Sequence, residues 1–108
     1  MNITITARGY KAPEHLKQYI ESKLNKKQRL FEDVMDADVI LSYEKLTQIA
    51  EIKLKVNSKT IIVSEKSDDI FKSIDLALDN IERQVKKYRE KQREHKNKKI
   101  MESWLRCQ

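Results

Sequence analysis

The side chains able to do chemistry fall into two unequal sets, and the smaller is the one that could make or break a bond. Cys107 is the single cysteine, and His15 and His95 are the two histidines. A nucleophile needs an adjacent base, and a catalytic site needs several groups that converge. Here His15 opens a helical stretch and reads as an ordinary surface residue, His95 stands in a run of charge, and Cys107 lies in the C-terminal tail. One glycine in the chain leaves no glycine loop to cradle a nucleotide phosphate. Asp68, Asp69, Asp75 and Asp79 lack metal-loop spacing and read as helix capping and a solvated face. No catalytic residue, metal or cofactor is expected, and the chain is not expected to be an enzyme.

The larger set is cationic. Lys and Arg number 23 against 17 Asp and Glu, a net charge of +6 in 108 residues. Residues 82–99 hold nine basic side chains and three acidic ones, so this segment alone accounts for the excess and the rest of the chain is neutral. Positive charge concentrated at one end points to a polyanionic partner. Lys87 with Lys91, and Arg89 with Arg93, are like-charge pairs one helical turn apart, which cost stability unless an anion compensates them. A second basic group, Lys23, Lys26, Lys27 and Arg29, closes the first helical stretch. It complements a negative helix end on its own, but beside the other group it can extend the same surface.

The elements that position these charges follow from periodicity. "NITITA" alternates apolar and polar residues as a half-buried strand does. Pro13, Glu14 and the spacing of Leu16, Ile20 and Leu24 predict a helix over residues 13–29. "ADVILSYE", "EIKLKV" and "TIIVSE" predict three antiparallel strands, joined by loops at 46–48 and 57–59. Ser67 or Asp68 caps a last helix whose apolar stripe runs Ile70, Ile74, Leu78, Ile81, Val85 and Tyr88. The order β-α-β-β-β-α predicts an α+β fold, a two-layer sandwich of a four-stranded sheet with two helices on one face. Thr4, Thr6, Glu51, Lys53 and Lys55 would face solvent on the other. Residues 1–95 form the expected domain, and 96–108 a basic, flexible tail. Within that tail Ile100, Met101, Trp104 and Leu105 share one helical face, and Trp104 could stack on a base.

A lone cysteine excludes an internal disulfide and suits a reducing cytoplasm. No apolar run approaches the roughly 18 residues that a membrane-spanning helix needs. A cytoplasmic protein is expected, with no membrane partner; it is also expected to be monomeric when free and to have no small-molecule substrate.

"MNITITARG", "LKQYIESKLNKKQRLFE", "VILSYEK", "EIKLKVN" and above all "SDDIFKSIDLALDNIERQVKKYREK" resemble the ribosome hibernation promoting factor and ribosome-associated translation inhibitor family, also called the sigma-54 modulation proteins. The likeness covers about residues 1–95. It implies binding to 16S rRNA of the small ribosomal subunit in the channel between head and body. There such proteins take the places of messenger RNA and of A- and P-site transfer RNA, silencing translation in idle ribosomes under stress or in stationary phase. The positions matching the family's rRNA contacts are Lys23, Lys26, Arg83, Lys87, Arg89 and Lys91, with Lys27 and Lys86 as added charge. Residues 96–108 match neither the short members nor the long acidic tail of the inhibitor branch. Two other readings fit the residues: a general double-stranded RNA binder, or a module whose basic helix docks an acidic protein or an anionic membrane.

Overall fold

The computed structural model describes the backbone of residues 1–57 and 59–106, and the side chains of the same residues up to Lys91. The expectations for Trp104 and its neighbours, and for the side chains of His95 and Cys107, lie outside the described residues. The elements run β1 (Asn2–Ala7), α1 (Glu14–Asn25), β2 (Val34–Glu44), β3 (Thr47–Val56), β4 (Lys59–Ser67) and α2 (Ile70–Arg106). One sheet carries the strands in sequence order. β1 pairs parallel with β2, and the other two pairings are antiparallel. A parallel pair needs a crossover, which α1 supplies; antiparallel pairs accept tight hairpins.

Alternation decides which face is covered. Ala50, Ile52, Leu54 and Val56 of β3 are buried, while Lys53 and Lys55 point to the other face. Val39 and Leu41 of β2, and Ile61 and Val63 of β4, continue the apolar face. Leu16, Ile20 and Leu24 of α1 and Ile74, Ala77, Ile81 and Val85 of α2 close over it. Both helices therefore lie on one side, as the sequence predicts. Thr4, Thr6 and Lys55 are exposed on the other side, where Lys53 pairs with Glu51 at 3.7 Å.

Three local expectations are corrected. α1 stops at Asn25 rather than at residue 29, and a series of turns carries the chain to β2. The next core positions of a longer helix would fall on Lys27 and Gln28, whereas Phe31 turns inward to 4% exposure. The hairpin connections are shorter than the expected loops, because Thr47 pairs with Glu44 and Lys59 with Val56. Lys45 and Asn57 take φ of 57° and 54° to turn that tightly. The residue that caps α2 is Asp69: its Oδ1 accepts the Phe71 amide at 2.9 Å, and Ser67 Oγ accepts the Asp69 amide at 3.2 Å to form the turn before it.

α2 is the element that sets the site. Its buried face is centred on Ser73, Ile74, Ala77, Ile81 and Val85, with Leu78 and Tyr88 half-buried at the flanks. Ser73 is fully buried and spends its hydroxyl on the Gln48 carbonyl at 2.8 Å and Ser67 Oγ at 2.6 Å, which fixes the helix start against β3 and β4. The helix has 37 residues, so at 1.5 Å per residue it runs roughly 55 Å, well past its last core contact. No helix among the described residues is long and apolar enough to cross a membrane.

Candidate nucleic-acid interface

The two helices lie side by side and point the same way. His15 stacks on Phe71 with ring centroids 6.1 Å apart, Tyr19 meets the same ring edge-on at 5.4 Å, and one turn further Tyr19 donates to Asp75. That hydrogen bond, with burial and the carboxylate charge, pushes the Tyr19 phenol up to about 12. Lys27 then pairs with Glu82, and Arg89 reaches the loop after α1. The parallel arrangement sets the negative C-terminal end of α1, and the lysines that compensate it, beside the middle of α2, where the basic run of α2 begins.

The cations there differ in what they already hold. Lys27 and Lys86 share Glu82, Lys86 at 3.3 Å. The Lys27 hydrogen bond first, and Lys86 second, hold the Glu82 carboxyl below its ordinary value despite partial burial. Arg89 Nη1 donates to the carbonyls of Arg29 at 2.8 Å and Leu30 at 3.5 Å, and its Nη2 to Glu32 at 3.2 Å. It ties the turns after α1 to α2. Lys23 lies over the Tyr19 ring at 5.5 Å. Lys23, Lys26, Arg83, Lys87 and Lys91 are exposed, and make no ion pair among the described residues.

A folded-state carboxyl held below its ordinary value adds stability at pH above the unfolded value, and loses it as pH falls through the folded one. For Glu82 the window begins below about pH 4.5. Glu82→Gln should therefore lower the denaturation midpoint at neutral pH and make it less sensitive to acid in that range, read by urea titrations at several pH values.

α2 divides its charge between two flanks. Glu82, Lys86 and Arg89 lie on the α1 side, where Glu82 lines a groove of about 330 Å³ together with Lys23, Lys27, Asp75 and Asp79. Lys87 and Lys91 instead line a cleft of about 230 Å³ against the start of β4, with Lys59, Gln84 and Tyr88. Basic side chains thus surround the C-terminal half of the described α2, rather than filling a single groove between the helices. Lys59 has no signal in the sequence as part of this surface, because only the β3–β4 register brings it beside α2. Among the described residues no group of three or more metal-ligating side chains converges.

The sigma 54 modulation protein / S30EA ribosomal protein family profile matches residues 3–93, nearly the whole fold and the whole described cationic surface. The chain belongs to this family. It is similar to the ribosome hibernation promoting factor of Azotobacter vinelandii, 30% identical over 92 residues that span 85% of this chain and 86% of the relative. The protein of the same name from Salmonella typhimurium is 30% identical over 95 residues, 88% of this chain and all of the relative. Among solved structures, a ribosomal subunit interface protein from Coxiella burnetii superposes with a TM-score of 0.78 at 29% identity, covering 82% of this chain and 98% of the other. The N-terminal domain of Protein Y from Thermus thermophilus gives 0.72 at 31% identity, over 82% and 99%. The two solved structures share this fold over most of the chain, and the names of the Azotobacter, Salmonella and Coxiella proteins refer to the ribosome.

Proposed function

We propose that this protein is a ribosome hibernation factor that binds 16S rRNA of the small ribosomal subunit in the decoding channel, over the messenger RNA path and the A- and P-site transfer RNA positions. It inhibits translation by occupancy, with no catalytic step and no cofactor, in the cytoplasm. Residues 1–95 are the ribosome-binding unit, and 96–108 a basic extension. Lys23, Lys26, Arg83, Lys87 and Lys91 are the free contacts to rRNA phosphates. Lys27, Lys86 and Arg89 add charge while they hold the helices and the adjoining turns in register. The observation that carries this reading is the set of exposed cations, without ion pairs among the described residues, where the end of α1 lies against the middle of α2, in a chain whose relatives are named for ribosome hibernation. Phosphate contacts supply affinity, and the shape of the RNA cleft supplies selectivity.

Each neutralised phosphate releases counterions, so about five to six contacts give a slope of log affinity against log salt of about −4 to −5, bracketed by the duplex and single-strand coefficients. Sedimentation of purified small subunits with the protein across a salt series measures it. A slope near zero would mean apolar docking and would sink the rRNA reading.

A further inference from the structure

The cleft between α2 and the start of β4 lies on the opposite flank of α2 from the α1 groove. Its composition is that of a nucleotide site. Tyr88 gives it a half-exposed aromatic ring, and Ile61 and Ile62 give it apolar walls. Gln84 brings a side-chain amide with both donor and acceptor. Lys59, Lys87 and Lys91 bring three cations, and the Lys59 ammonium lies 5.4 Å over the Tyr88 ring. That ring face is therefore covered by a point charge on a flexible four-carbon stem rather than by a packed side chain, and the cover can swing aside. At about 230 Å³ the cleft is smaller than the roughly 300–1,000 Å³ of pockets that enclose drug-sized ligands, and it suits one planar ring.

We propose that this cleft takes a single unpaired nucleotide of RNA. The base stacks on Tyr88, its edge meets the Gln84 amide, and the flanking phosphates are held by Lys87, Lys91 and a Lys59 displaced from the ring. Stacking on an aromatic side chain combined with cations along the backbone is how unpaired strands are held. A base inside a duplex cannot present its face in this way. The proposal extends the ribosome reading, from which it takes RNA as the partner, by assigning an unpaired strand to the β4 side of α2.

The test is titration of the full chain with a short fluorescent single-stranded RNA and with a duplex of equal length, alongside sedimentation with small subunits. Tyr88→Phe should bind both RNAs as the wild type does. Tyr88→Leu keeps the apolar packing and removes the ring; it should weaken single-strand binding by roughly 5- to 140-fold, the equivalent of about 1–3 kcal/mol per stacked base, and leave duplex binding unchanged. Gln84→Ala, at an exposed position, should weaken the single strand selectively and decides the matter if the leucine variant does not fold. Equal losses on both RNAs, or no loss with Tyr88→Leu and Gln84→Ala, would overturn the inference. Failure of the wild type to sediment with small subunits would overturn the ribosome reading instead, and leave the oligonucleotide result standing.

Discussion

Replacing Arg83, Lys87 and Lys91 together by Glu is expected to abolish sedimentation with the small ribosomal subunit while the protein stays folded. The three stand four residues apart along one row of α2, are exposed, and make no ion pair among the described residues. The buried residues nearby are Ile81 and Val85, on a different face. Neutral replacement would already remove three of about five to six phosphate contacts and about half of the salt slope. Charge reversal adds repulsion worth several kcal/mol, so affinity should fall by at least about a thousandfold. The corresponding Gln variant separates binding from folding. Each like-charge pair at this spacing costs a helix about 0.2–0.5 kcal/mol, so triple Gln should melt at the wild-type temperature or slightly above it while binding weakens. A lower melting temperature would mean that these side chains serve the fold.

Arg89→Ala should do the reverse and lower stability first. Its guanidinium holds the carbonyls of Arg29 and Leu30, which lie in the turns between α1 and β2, and it also reaches Glu32. The Glu32 pair is solvent-screened, with side-chain exposures of 33% and 58%, and counts for little. The hydrogen bonds to backbone oxygen are charge-assisted, and their loss should cost about 1–2 kcal/mol, lowering Tm by roughly 5–10 °C. Arg89→Lys retains the charge but not the fork, and should recover little of the stability. If Arg89 acted only as a phosphate contact, both variants would melt like the wild type and differ only in salt-dependent binding.

How much of this was legible in the sequence depends on how far apart the partners lie. β1 was readable to the residue, because period-two alternation in "NITITA" is a local property. The α2 stripe was readable in its large residues. Ser73 and Ala77 are small and give no apolar-periodic signal, although they lie at the centre of the packed face where the helix approaches the sheet. The end of α1 has no local mark, because the lysines around it have good helix propensity; beyond it Phe31 turns inward, and Arg89, 60 residues away from Arg29, holds the turns. The basic residues of the site were visible as types and spacing, but their division into occupied and free cations was not. Glu82 reads as one acid in a basic run until α1 brings Lys27 against it. Lys59 has no local signal at all, since only the sheet register carries it to α2.

The most direct test of the central claim is chemical footprinting of 16S rRNA in purified small subunits, with and without the protein at low salt. Protection should cluster along the messenger RNA path and the A- and P-site transfer RNA contacts, and should disappear with the triple Glu variant. Protection confined to other surfaces of the subunit, or the same pattern from the triple variant, would contradict occupation of the decoding channel by the helix-borne cations.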